Sequence, residues 1–161
     1  NNANAQTPAD GQSPRIQMYL FDGPAESHLA VRSGSRKGRF AIGAAAFGPQ
    51  TYGVEGTLVE ARQSGGAPAD ACDAVGNGDA INGKIALVQD GTCDAAVKAR
   101  TLQAAGATAV VIARTDDAPA GPITGTATDV TVPVISLAKA DAEAIVASMG
   151  TAPLDVDVVR R

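Results

Sequence analysis

The chain has 161 residues, 45% of them hydrophobic, only 3% aromatic and none Trp; that length suits one domain with at most an appendage and can bury about two-thirds of its unfolded surface without a structural metal. Lys and Arg total 13 against 17 Asp and Glu, a formal charge of -4, which argues against nucleic acid as a partner because that binding draws on basic clusters. The longest weakly polar runs, Phe40–Phe47 and Ala104–Ala113, fall far short of the roughly 20 residues that cross a bilayer, and no cationic, apolar leader opens the sequence, so no membrane contact is expected.

Residues 1–15 carry Asn, Gln, Pro and Gly without an apolar period and read as an extended lead-in to a domain spanning 16–161. In Arg15–Asp22, Ile16, Met18 and Leu20 alternate with Gln17 and Tyr19, a strand signal that Gly23-Pro24 ends. His28–Ser33 and Arg39–Phe47 predict two more strands, separated by the basic turn Ser33–Gly38. Tyr52–Glu60 predicts another, with Gly53 and Gly56 as bulge positions. Ala61–Ala80 reads as a long polar connection.

The second half is patterned more clearly. Lys84–Gln89, launched by the turn pair Asn82-Gly83, is a nearly continuous apolar run, as a strand covered on both faces requires. From Cys93 to Ala105 the apolar spacing becomes helical, with Val97, Thr101 or Leu102, and Ala105 inward and Lys98 and Arg100 outward. Thr92 or Asp94 is placed to cap that helix, and Gly106 to stop it. Thr108–Ala113 predicts the next strand. A helix of about 12 residues rises roughly 18 Å, enough to return the chain beside a parallel neighbour in a βαβ crossover. Arg114–Asp129 is a loop. Val130–Leu137 predicts a strand in which Pro133 suggests an edge or a bulge. Ala140–Met149 forms a second helix closed by Gly150, and Leu154–Val159 alternates as a last strand.

Chemistry-bearing residues are scarce. His28 is the single histidine, too few for a zinc site built on histidine pairs, and no serine stands in a G-x-S-x-G elbow. Gly78–Lys84, GDAINGK, imitates a phosphate-binding loop, but Ile85 replaces the required Ser or Thr and the segment opens a strand instead of a helix. Neither Asp116, Asp117 and Asp129 nor Asp70, Asp73 and Asp79 show the spacing of a calcium loop. No catalytic residue, metal or cofactor is therefore expected. Cys72 and Cys93 are the whole cysteine inventory. A disulfide between them is the favoured reading, with two buried thiols as the alternative; it would close about 22 residues, worth about 3 kcal/mol by chain entropy, and suits an oxidising compartment.

The stretch NGKIALVQDGTCDAAVKARTLQAAGATAVVIA, Asn82–Ala113, followed by VTVPVISLAKADAEAI, Val130–Ile145, resembles a protease-associated (PA) domain. The likeness rests on a G-K-I-A-L-V strand, a following Gly and Cys, an A-G-A turn and a V-P-V-I-S strand. Asp90 stands where that family usually has Arg, and Ala95 or Ala96 where a large aromatic usually packs. The first 22 residues are similar to a segment of fungalysin-type secreted zinc metallopeptidases, in NNAN, TP-x-DGQS and R-I-x-MY. The resemblance implies an α+β fold: a β-sandwich or open barrel with a βαβ crossover and two main helices. It also implies a secreted, non-catalytic insert whose partners are the host's catalytic domain and protein or peptide substrates, monomeric when isolated. Ligands gather beyond the carboxyl ends of parallel strands, so the exits at Asp90, Gly91 and Thr92 and at Arg114, Thr115, Asp116 and Asp117 are the expected peptide-binding residues. A purely structural insert, or an enzyme using a carboxylate pair or a bound metal, are the competing expectations.

Overall fold

The computed structural model describes residues 26–150 and 153–161, and the strand expected at Arg15–Asp22 lies outside them. Strands β1 (Ser27–Val31), β2 (Gly38–Ala44) and β3 (Tyr52–Glu60) lead to a short helix, α1 (Gly78–Ile81), and strand β4 (Ile85–Gln89). Helix α2 (Ala95–Ala104), strands β5 (Ala109–Ala113) and β6 (Val134–Leu137), helix α3 (Lys139–Met149) and strand β7 (Leu154–Arg160) complete the order. Neighbouring strands run β1-β2-β6-β5-β4-β3-β7, and β7 returns to β1. β3, β4, β5 and β6 are mutually parallel, and every other pairing is antiparallel.

The α+β class, the βαβ crossover and the two main helices are as expected, but the barrel is closed. Closure is the work of β7, which pairs with β3 along Leu58–Tyr52 and with β1 along Ser27–Val31. Its alternation explains the fit: Leu154, Val156 and Val158 are fully buried in the barrel, while Asp155 and Asp157 point away from it.

β4, β5 and β6 are apolar on both faces because each face has its own core. Ile85, Leu87, Val111, Ile135 and Leu137 fill the barrel, whereas Ala86, Val88, Val110, Ile112 and Val134 face outward. Ala99 and Leu102 of α2 cover that outer face together with Ile81 of α1 and Ala61, Ala69 and Ala71. The 61–80 connection is thus a packed wall, although its small alanines gave no periodic signal. α3 follows β6 after one residue and inserts Ala142 and Ile145 into the barrel core, stopping that end. Full burial of an Ile side chain is worth about 2–3 kcal/mol.

Four local expectations change. The β3–β7 register runs without interruption through Gly53 and Gly56, so neither is a bulge. Pro133 precedes β6 and accepts the Val110 amide through its carbonyl (2.9 Å), so it costs the closed sheet no ladder bond. Asp94 is the N-cap of α2, but its side chain makes no capping bond. Lys98, expected outward, is fully buried. Gly106, at φ +96°, does end the α2 segment in the left-handed region.

The 114–129 loop is fastened to the barrel by a close backbone approach. Ser136 Oγ donates to the Gly121 carbonyl (2.6 Å) and accepts the Gly121 amide (3.1 Å). Ile123 pairs with the end of β2, its amide to the Ala44 carbonyl (3.0 Å) and its carbonyl to the Ala46 amide (2.8 Å). A Cβ on Gly43 would run into the Gly121 carbonyl, whereas one on Gly53 would meet nothing within 4 Å. Gly43→Ala is therefore expected to cost at least about 2 kcal/mol by overpacking, and Gly53→Ala to stay within about 0.5 kcal/mol. Urea unfolding midpoints of the two variants check this contrast.

Candidate ligand-binding mouth of the barrel

Because β3, β4, β5 and β6 are parallel, Glu60, Gln89, Ala113 and Leu137 all end at one mouth of the barrel. α3 crosses this mouth without covering it. Beside the helix lies a cleft of about 430 Å³. Leu87, Ala113, Ala142 and Val146 give it an apolar floor, Pro68 and Ala69 form a wall, and Glu60, Arg114, Lys139 and Glu143 stand around it. An apolar floor with a few polar groups at its margin is the usual make-up of a small-ligand or side-chain pocket. A second, more polar groove of about 560 Å³ contains Asp90, Cys93 and Asp94 opposite the 122–126 loop. Arg114 belongs to both.

The β4–β5 pairing brings the two expected exits together. The Asp90 amide donates to the Ala113 carbonyl (2.8 Å) and the Arg114 amide to the Leu137 carbonyl (2.9 Å), extending the ladder by one bond at each exit. These amides are occupied by the barrel, so at the two exits side chains and the cleft remain as contact surfaces. Arg114 and Thr115 line the apolar cleft, and Asp90 and Arg114 line the polar groove. Gly91 and Thr92 turn towards the disulfide instead: Thr92 Oγ1 lies 3.5 Å from both Asp70 Oδ2 and Cys72 Sγ. Asp116 and Asp117 line neither space; Asp117 is almost fully exposed, with Lys139 Nζ 3.9 Å away.

Arg114 and Asp116 form a two-pronged ion pair, Nε to Oδ1 at 2.8 Å and Nη2 to Oδ2 at 2.7 Å. The hydrogen-bonded guanidinium holds the Asp116 carboxyl below its usual value, aided by the Ala118 amide and opposed by desolvation. Asp129 is lowered in the same way by Arg100, at 2.7 Å. The loop carboxylates are thus divided among separate cations. Among the described residues no three His, Cys, Asp or Glu side chains converge as metal ligands. His28 lines neither space; its Nδ1 lies 3.6 Å from Glu26 Oε1, in a cluster with Arg39 and Arg161.

Cys72 and Cys93 are disulfide-bonded, with Cα atoms 5.7 Å apart. The bond ties the wall segment to the β4 exit. Beneath it, Lys98 Nζ donates to the Asp70 carbonyl at 2.6 Å and lies 3.8 Å from Cys72 Sγ. Burial lowers the pKa of this ammonium, and the carboxylates of Asp70 and Asp90 oppose that shift. Lys98 and the α3 face escaped the sequence reading. Its helical spacing could have exposed the face, since Lys139, Ala142, Glu143 and Val146 recur at intervals of three and four. Nothing local marks Lys98, whose partners are 28 and 26 positions away.

The PA domain family profile matches residues 54–145, more than half of the chain. The chain belongs to the PA domain family. Solved structures agree on the PA fold. An aminopeptidase from Aneurinibacillus sp. strain AM-1 superposes with a TM-score of 0.62 at 23% identity, over 86% of this chain and 31% of that one. A zinc aminopeptidase from Bacillus subtilis gives 0.59 at 25% identity, over 88% and 32%. A subtilisin-like protease from an Antarctic Pseudoalteromonas gives 0.58 at 14%, over 85% and 33%. An ER degradation-enhancing alpha-mannosidase-like protein 3 from Xenopus laevis is 36% identical over 94 residues, 53% of this chain and 10% of its own length. The chain therefore spans about a third of the peptidases it resembles and a tenth of the mannosidase-like protein.

The ion pair at the mouth of this PA domain sets a pH response. Asp116 has a folded-state pKa below 3.8, so its stabilising contribution is complete above that value and is lost as pH falls through the folded one. Carboxyl NMR titration is expected to place Asp116 below 3.8 and to move it upward in Arg114→Ala.

Proposed function

We propose that this PA domain is a non-catalytic interaction module of a secreted zinc peptidase, which meets protein or peptide substrates at the barrel mouth and controls their access to the host's active site. The observation that carries the reading is the open apolar cleft beside α3, ringed by Glu60, Arg114, Lys139 and Glu143. Such a site supplies contact and shape selection without a nucleophile and base within reach of each other. Asp90, Gly91, Thr92 and Arg114–Asp117 are proposed to contact the substrate chain around it. No cofactor is required for this role.

The side-by-side pairing of β1 and β7, the first and last strands of the barrel, supports an insert. The Arg161 amide donates to the Glu26 carbonyl (2.8 Å), and the Arg161 guanidinium reaches Glu26 Oε2 (3.0 Å). A host chain can enter and leave the PA domain at one point, so insertion need not separate the flanking segments. Every strand of the barrel has a neighbour on both sides, leaving only stretches such as 52–57 of β3 unpaired on one side, which supports a monomer when the domain is isolated. Fold neighbours described as zinc aminopeptidases support a zinc peptidase host, as does the fungalysin-like segment in residues 1–22. The two point to different peptidase classes, and the proposal is made at the level they share. The disulfide supports export or an ER-lumen location.

Deleting residues 26–161 from the full-length host is expected to change kcat/KM for folded protein substrates at least about tenfold, while short peptides change less than about twofold. Equal effects on both substrate classes would overturn access control. Unchanged kinetics with a lower secreted yield would mark a structural insert instead.

A further inference from the structure

The disulfide is asymmetric in its surroundings. Lys98 Nζ stands 3.8 Å from Cys72 Sγ, fixed there by the Asp70 carbonyl at 2.6 Å, and Lys98 is fully buried. Thr92 Oγ1 lies 3.5 Å from the same sulfur but gives its single proton to the Asp70 carboxylate, so Lys98 is the donor at Cys72 Sγ. The nearby Asp70 carboxylate is already engaged, Oδ1 by the Cys72 amide at 3.1 Å and Oδ2 by the Thr92 hydroxyl. Cys93 has the opposite setting: it lines the open polar groove together with the carboxylates of Asp90 and Asp94. One sulfur therefore sits beside a buried cation with the Asp70 carboxylate close by, and the other sits in an open groove with two acids and no cation at hydrogen-bonding distance.

We propose that the Cys72–Cys93 bond is a thiol-exchange site of fixed polarity, in which a small-molecule thiolate attacks Cys93 Sγ and Cys72 Sγ leaves beside Lys98. The attacking thiolate forms a mixed disulfide with Cys93, the Cys72–Cys93 bond breaks, and the electron pair departs on Cys72 as a thiolate. A second equivalent of the thiol attacks its own sulfur in the mixed disulfide, releasing the Cys93 thiolate and the oxidised reagent. Two thiols thus lose two electrons, and each cysteine takes up a proton from solvent. The preference follows from leaving-group chemistry: exchange is faster when the departing sulfur is the better-stabilised thiolate, and an adjacent ammonium provides that stabilisation.

The exchange acts on the mouth. Pro68 and Ala69 wall the apolar cleft, and Cys72 is their covalent anchor to the β4 exit. Once it is released, the wall keeps the Gln89 amide to Ala69 carbonyl bond (3.2 Å) and the Lys98 bond to the Asp70 carbonyl. Thiol exposure therefore loosens one side of the binding cleft while α3 and the barrel stay in place. This inference concerns the disulfide itself and does not depend on the host's identity.

The test treats the folded protein with 2-mercaptoethanol, quenches with acid, alkylates the freed thiols and maps both cysteine peptides by mass. The mixed disulfide is expected on Cys93 and the alkyl group on Cys72, with about a tenfold excess over the reverse adduct. In Lys98→Met the ratio should fall towards one. An even distribution in the unmodified protein, a preference for Cys72, or no exchange in the folded state would overturn the proposal. Should Lys98→Met fail to fold, single-cysteine variants decide the cause. Cys72 in Cys93→Ala should be alkylated with an apparent pKa below the ordinary thiol value of about 8.5, and Cys93 in Cys72→Ala above it. Equal values would remove the role assigned to Lys98.

Discussion

The pairing of β7 on both its edges is the constraint from which the rest of the structure follows. A sheet of seven strands left open would expose two edges, each a row of unsatisfied amides and carbonyls. β7 removes both by bonding to β1 on one side and β3 on the other. Closure then fixes the interior. It must be filled by side chains that the barrel radius admits, and among the described residues the interior receives Leu, Ile, Val and Ala with one Phe, Phe40, while Phe47 is buried outside it. The scarcity of aromatic residues is thus a packing requirement of a narrow barrel and not a sign of a weak core.

Closure also decides where binding can occur. Ladder bonds occupy most of the strand edges, leaving only stretches such as 52–57 of β3 unpaired on one side, so the mouth carries the concave apolar surface for recognition. Four parallel strands end there, and among the described residues α3 is the helix that crosses the opening. α3 buries Ala142 and Ile145 in the barrel while Lys139 and Glu143 stay beside the cleft. A helix laid across a round opening leaves part of it uncovered, and the apolar cleft is that remainder. The binding surface is therefore a by-product of how the barrel is plugged.

The wall of the cleft depends on a second arrangement, built around a buried cation. Lys98 is taken out of water, which is costly for an ammonium, and the Asp70 carbonyl with the carboxylates of Asp70 and Asp90 offsets that cost. Its position fixes the backbone at Asp70, and Ala71 next to it adopts φ +58°, a conformation L-residues rarely take. The disulfide completes the attachment one residue later. A segment with few large apolar side chains is in this way held against α2 and the β4 exit by one charge, one covalent bond and three small alanines.

The sequence by itself determined the secondary structure of the second half, because β4, β5, β6, α2 and α3 each carry a pattern that repeats within their own length. It also determined the family, through the residues that shape the β4–α2–β5 crossover, and it placed the two strand exits that the β4–β5 pairing brings side by side. Only the tertiary structure decided that the barrel closes, that 61–80 is a wall and not a free loop, and that Lys98 points inward. Closure depends on β7 meeting strands about 100 to 130 residues earlier, and the Lys98 contacts lie 26 and 28 positions away, so neither leaves a local periodicity. The cleft belongs to the same class of fact: it is the space between a helix and three strand ends, and no single segment encodes a space.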